Sequence, residues 1–199
     1  MSFSNLVQRN RSYRRFDERR PIDRTTLVKF VELARHTPSA ANLQPLKFMV
    51  SWSGADNARI FPHLRWAGAL ADWPGPDDGE RPTGYVLILG DTTVSSQVRW
   101  DDGIAAQTML LAAVERGLGG CMVGSIDRDG LRAALEIPEH LEILLVVALG
   151  TPAETVVLHD GQSPDDCPYW RDEEGVHHVP KRGLEEVLLE LPGSQAGHG

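Results

Sequence analysis

The stretch YVLILGDTTVSSQVRWDDGIAAQTMLLAAVERGLGGCMVGSID, residues 85–127, decides the fold class. It opens with a continuous apolar run of strand length, the pattern of a central strand whose two faces are both covered. A helix follows, with Ile104, Ala105, Thr108, Leu111 and Ala112 on one side and Gly117 placed to end it. GCMVGSID, residues 120–127, then reads as a short strand and a turn.

The neighbouring segments continue the alternation. TTLVKFVELARH puts Leu27, Val31 and Ala34 on one face and predicts a helix over 25–36, entered through Pro21-Ile22-Asp23. TPSAANLQP is a loop, LKFMVSW a strand, and NARIFPHLRWAGALA partly helical. DWPGPDDGERPTG, rich in Pro, Gly and acids, is a loop. Downstream, DRDGLRAALEI reads as a helix and LEILLVVALG as another buried strand. The resulting order predicts a layered α/β or α+β domain with helices covering a central sheet.

From about residue 153 to 183 the pattern dissolves into an extended polar arm, followed by one last apolar segment, GLEEVLLEL. The chain has 199 residues, 41% of them hydrophobic, and one domain is expected over 1–192, with residues 193–199 a disordered tail.

Composition excludes several classes. A formal net charge of -8 argues against a nucleic-acid binder, which needs an excess of Lys and Arg. No apolar run is long enough to cross a bilayer, and the first residues lack the apolar core of a secretion signal. The two cysteines, Cys121 and Cys167, form neither a CxxC pair nor a disulfide framework, so a soluble protein in a reducing, cytoplasmic setting is expected. His177-His178 with Cys167 lacks metal-ligand spacing, and no metal site is expected. There is no GxSxG elbow, Walker loop or GxGxxG fingerprint.

Two segments carry candidate chemistry. RNRSYRRFDE groups Arg9, Arg11, Arg14 and Arg15 around the Ser12 hydroxyl in an otherwise acidic chain. Guanidinium forks and a hydroxyl make an anion site in outline; a solvated basic segment pairing with surface carboxylates is the other reading. The second segment runs from Pro38 to Pro45. Its small residues permit close approach, and its Asn and Gln amides match the alternating oxygens and nitrogens of a heterocycle edge, while an ordinary loop explains it equally.

Taken in order, with one amphipathic helix between them, these segments resemble the FMN-dependent nitroreductase family, whose members begin with an R-x-S-x-R-like motif and continue to P-S-x-x-N-x-Q-P. The likeness runs on through DDGIAAQTMLLAAVERGLGGCMVGSID, ALGTPAE and PKRGLEEV. It implies an α+β fold, a central mostly antiparallel sheet flanked by helices, in an intertwined homodimer with FMN at the subunit interface. By the same resemblance Arg11, Ser12 and Arg14 hold the FMN phosphate and ribityl end, joined by Lys181 or Arg182. Pro38, Ser39, Ala40, Asn42 and Gln44 approach the ring, normally from the second subunit, and Met122, Val123 and Gly124 lie beside it.

The activity implied is hydride transfer from NAD(P)H through flavin to a nitroaromatic, quinone or other conjugated acceptor. The alternatives are a dehalogenase, enone reductase or dehydrogenase of the same family, or a non-enzymatic FMN-binding or storage protein. No catalytic side chain is required, because the cofactor carries the chemistry. The polar arm would embrace the partner. Trp66 and Trp73 are weak candidates for stacking on substrate, packing being the commoner role of Trp.

Overall fold

The computed structural model describes residues 2–70, 72–161 and 163–191; the expected tail at 193–199 lies outside them. The chain divides into two compact units, Met1–Glu154 and Thr155–Gly199.

The first unit is built on a four-stranded antiparallel sheet in the order β1-β2-β4-β3, formed by β1 (Leu46–Ser51), β2 (Gly84–Asp91), β3 (Gly119–Val123) and β4 (Leu141–Gly150). Every residue of β2 is buried, as its continuous apolar run requires. Alternation along the strand sends Val86 and Ile88 to one face and Tyr85, Leu87 and Leu89 to the other.

On the first face lie α2 (Arg24–Ala34) and α4 (Asp101–Glu115), whose Leu27, Phe30, Ala105, Met109 and Ala113 pack on Val86, Val147 and Leu149. The second face is covered by residues of α3 (Gly54–Ile60), α5 (Arg128–Leu135) and the loop after α3; Ile60, Leu64, Trp66 and Leu131 close over Leu87 and Val146. Helices on both faces of an antiparallel sheet make this an α+β domain.

Local signals set the helix ends. Asp23 caps α2, its carboxylate accepting from the Thr26 amide at 2.8 Å and the Thr26 hydroxyl at 2.9 Å. Gly117, at φ +73°, ends α4, with the Leu118 amide donating back to the Ala113 carbonyl at 2.9 Å.

Three expectations need correction. Ala105 and Ala112 of α4 are buried as expected, but the rest of its buried set is Asp101, Ala106, Met109, Leu110, Ala113 and Val114, while Ile104 is exposed and Thr108 and Leu111 are half-buried. A further helix, α1 (Phe3–Arg9), capped by Ser2, buries no residue and so left no apolar stripe to read.

The third correction concerns the polar arm, which is not structureless. In the second unit β5 (Val156–Gly161) pairs in parallel with β7 (His177–Arg182), and the two-residue β6 (Trp170–Arg171) pairs antiparallel to β7. The alternation is masked because histidines stand where apolar residues would. His159 Nε2 lies 2.6 Å from His178 Nδ1, His178 Nε2 lies 2.7 Å from Asp172, and Trp170 stacks on the His178 ring at 4.8 Å. The last apolar segment forms a single turn, α6 (Leu184–Val187), and Leu184, Leu188, Leu189 and Leu191 are exposed.

Candidate functional site

The basic segment does not float in solvent. Ser12 forms a parallel bridge with Gly120, and the Tyr13 amide donates to the Gly120 carbonyl at 3.1 Å, so Arg11–Arg14 runs along the outer edge of β3. Gly119 and Gly120 make this approach possible. A Cβ on Gly119 would meet the Tyr13 ring at 2.5 Å, and one on Gly120 would run into the Ala148 carbonyl. Glu154 then clamps the segment by accepting from the Arg14 and Arg15 amides, the second at 3.1 Å. Glu154 stands in the ALGTPAE stretch, but nothing local assigns it this task.

The four arginines separate into different roles. Arg15 Nε is 3.0 Å from Glu80, with its guanidinium 6.0 Å from the Trp73 ring, so its charge is engaged. Arg9 is exposed at the end of α1. Arg11 donates through one terminal nitrogen to the Val7 carbonyl at 2.8 Å, whereas its buried Nε has no hydrogen-bond partner among the described residues. Burial pulls the Arg11 pKa below its ordinary value, with Tyr13 opposing the shift. A half-buried cation with an unused buried donor is the environment an anion relieves. Arg14 bonds the Ser12 carbonyl at 3.3 Å, and the Ser12 side chain is exposed.

The same edge continues toward Met122. The Gly120 carbonyl faces out of the sheet to meet Tyr13, so by the two-residue alternation of a strand the N–H and C=O of Met122 point the same way. Met122 is 39% exposed, Gly124 is exposed, and the Val123 side chain is buried in the second core. From Gly120 to Gly124 the backbone covers about 13 Å. Arg11, Ser12, Arg14, Met122 and Gly124 thus lie along one edge, with Val123 offering only its backbone.

The loop Pro38–Gln44 is built differently. The Ser39 hydroxyl donates to Asp101 and the Ala40 amide to the same carboxylate at 3.3 Å, while the Gln44 amide donates to Ser39 Oγ at 2.9 Å. Asp101, buried to 5%, opens α4 and staples the loop; sequence reading passed over it as one of two acids at a helix start. Ala41, Asn42 and Gln44 all have positive φ, 51°, 55° and 54°. Non-glycine residues held there are strained, and the staple is what holds them. Asn42 and Gln44 are exposed, as is Pro38, and cavities of about 150 and 230 Å3 flank the loop.

The loop adjoins β1, and β2 and β4 separate β1 from β3. One chain therefore does not bring Pro38–Gln44 onto the Arg11–Met122 edge. Lys181 and Arg182 are exposed in β7 of the second unit. Trp66 is buried and packs on Phe61 at 5.8 Å between centroids, while Trp73 is half-buried against the second core. No helix among the described residues is long and apolar enough to cross a membrane.

The arrangement defines an antiparallel α+β protein with an anion-suited arm on one sheet edge. Its fold is shared with a nitroreductase family protein of Clostridium difficile 630, at TM-score 0.66 and 19% identity over 95% of this chain and 98% of that one. It is shared likewise with a nitroreductase structure from Exiguobacterium sibiricum in complex with FMN, at TM-score 0.65 and 15% identity, covering 83% of this chain and 95% of that one.

Among curated relatives, a Methanothermobacter thermautotrophicus protein named as an NADH dehydrogenase/NAD(P)H nitroreductase is 28% identical over 171 residues, 83% of this chain and 85% of its own length. A 5,6-dimethylbenzimidazole synthase of Rhodospirillum rubrum is 27% identical over 174 residues, 75% and 81% of the two chains. The model of the Nitroreductase family matches residues 7–81 and 95–151, and the chain belongs to that family. The matched residues include the arginine arm, the stapled loop and Met122–Gly124; Lys181 and Arg182 fall beyond them.

Proposed function

We propose that this protein is an FMN-dependent oxidoreductase that passes a hydride from NAD(P)H to an electron-poor organic acceptor, a nitroaromatic, a quinone or another conjugated compound, by a ping-pong scheme. One observation carries the reading: the Ser12–Gly120 bridge lays an arginine with an unused buried donor along the strand edge whose next outward backbone groups belong to Met122.

Bound FMN supplies the hydride chemistry; the chain's part is to hold and orient it. Arg11 and Arg14 bind the phosphate by charge-assisted hydrogen bonds, with the Ser12 hydroxyl as a further donor. Lys181 and Arg182 are proposed as additional anion-binding residues. The edge backbone at Met122–Gly124 meets the polar rim of the ring. Pro38, Ser39, Ala40, Asn42 and Gln44 approach it from a second copy of the chain, because their own sheet edge lies on the far side of β2 and β4. A homodimer is the assembly this requires, and the single family domain extends through residue 192 with the second unit as part of it. Free Cys121 and Cys167 accord with a reducing, cytoplasmic compartment.

The purified protein should be yellow. Under nitrogen, NADH or NADPH should bleach it rapidly, and a nitroaromatic should restore the colour; a yellow protein that neither donor bleaches would leave only an FMN-binding or storage role. The relative named as a 5,6-dimethylbenzimidazole synthase supports a second reading, in which that synthesis is the activity. Detection of 5,6-dimethylbenzimidazole by mass spectrometry after aerobic incubation with reduced flavin separates the two.

A further inference from the structure

The flavin reading leaves unused a cavity of about 280 Å3 in the first unit, on the face of the sheet away from α2 and α4. Trp52, just past β1, and Phe61, just past α3, give it flat apolar walls, and Tyr85 at the start of β2 lines it from the core. That volume suits one aromatic ring with a substituent and is too small for a dinucleotide.

Three polar groups around the cavity have capacity to spare. Tyr85 is only 1% exposed, yet its hydroxyl has no hydrogen-bond partner among the described residues. Burial holds that phenol protonated far beyond its ordinary range, with Cys121 adding to the shift and the charges of Arg81 and Glu18 acting on it in opposite senses. It is therefore an O–H donor on the cavity lining that an occupant can engage.

Arg81 is fixed over the Phe61 ring at 4.4 Å and against Asp78 at 2.7 Å, while its buried Nε donates to nothing among the described residues. Glu18 accepts from the Gly79 amide at 2.7 Å through one oxygen and keeps the other. The Asn57 amide, also on the wall, is held in place by donating one N–H to the Thr83 carbonyl at 3.0 Å and accepting from Ser51 at 2.7 Å.

Two donors and one acceptor between aromatic walls fit a ligand that presents an acceptor and a donor side by side on a flat ring. Arg81 and Arg24, the latter 5.6 Å from the Trp52 ring, balance Glu18 and Asp78, so the wall suits a neutral molecule, and the Glu18 acceptor favours one that carries a donor. We propose that this cavity binds a small planar aromatic carboxamide, its carbonyl oxygen meeting the Tyr85 and Arg81 donors and its amide N–H meeting the free Glu18 oxygen.

Benzamide titrated into the full-length protein, followed by calorimetry and by the Trp52 indole resonance, tests this. Binding should be saturable and shift the Trp52 signal. Benzoate, of the same shape but anionic and without the donor, should bind at least tenfold more weakly. Tyr85→Phe should weaken benzamide at least tenfold while its thermal midpoint stays the same or rises, since no protein partner is lost; Glu18→Gln, a second variant, should lower affinity less and leave flavin retention unchanged. No saturable binding, equal affinity in Tyr85→Phe, benzoate binding as well as benzamide, or a fall in the Tyr85→Phe midpoint would each overturn the assignment.

Discussion

The two outer edges of the main sheet are finished in opposite ways. At the β3 edge no residue of the Arg11–Arg14 arm has positive φ; Glu154 holds its backbone and one guanidinium is left with an unused donor. At the β1 edge the Ser39–Gln44 loop keeps three residues at positive φ, and each oxygen of buried Asp101 accepts a hydrogen bond from the loop. One edge has kept a polar group in reserve, and the other has spent a polar group on holding a shape. Reserve capacity marks where a ligand contributes the missing partner, whereas a satisfied staple marks a preformed wall.

This contrast gives the staple carboxylate and the two arginines different signatures on mutation. Asp101→Ala should lose about 3 kcal/mol of stability in urea unfolding, since two loop donors lose a buried charged acceptor. It should also speed amide exchange in the loop, and an unchanged unfolding midpoint would break the staple argument. Arg11→Ala should do the reverse. Flavin retention should fall by about 2 kcal/mol, roughly thirtyfold in Kd, while the stability of the flavin-free protein holds or rises. Arg14→Ala should weaken retention in the same direction; retention equal to wild type in both variants would remove the phosphate role.

A pH test sharpens the picture of β3. Its outer edge carries the arginine arm, but Cys121 points into the second core, where burial pushes the thiol up to about 12, with Arg14 lowering and Glu154 raising it. The folded state keeps this proton after the unfolded chain, whose thiol titrates near 9.0, has lost it. Stability therefore falls as pH climbs from about 9 toward 12, by about 1.4 kcal/mol per pH unit at most for this one group. Cys121→Ala should flatten that limb, and a thiol reagent at neutral pH should label Cys167 while sparing Cys121. The smallest effect expected is at Ala41. Glycine there removes the left-handed penalty on a side chain, so Ala41→Gly should stabilise the protein by about 0.5–1 kcal/mol in thermal melts, against the usual cost of introducing glycine.

Much of the fold was legible locally. The unbroken run of β2 could only be a doubly covered strand, and Asp23 and Gly117 announced their helix ends because capping and left-handed backbone are properties of one or two residues. The inner face of α4 was legible in part: Ala105 and Ala112 are buried as their spacing predicts, but Ile104, Thr108 and Leu111 fit helical spacing as well as Met109, Leu110 and Ala113 do, and only packing chose the latter. In the candidate site, the arginine arm and the loop were visible as motifs, but the carboxylates that position them were not. Asp101 acts on Ser39 and Glu154 on Arg14, partners far away in the chain.

The sequence by itself determined which segments of the first unit beyond α1 are strands and helices, the absence of a membrane-length apolar run, and which residue types are available to meet a phosphate and a flat heterocycle. Those are matters of composition and short-range period. Tertiary structure alone decided that Ser12 lies beside Gly120, that β1 and β3 stand at opposite edges, and that the polar arm folds as a small sheet around His178. Each depends on pairing between residues remote in sequence, where many partners are chemically possible and burial of the whole core selects one.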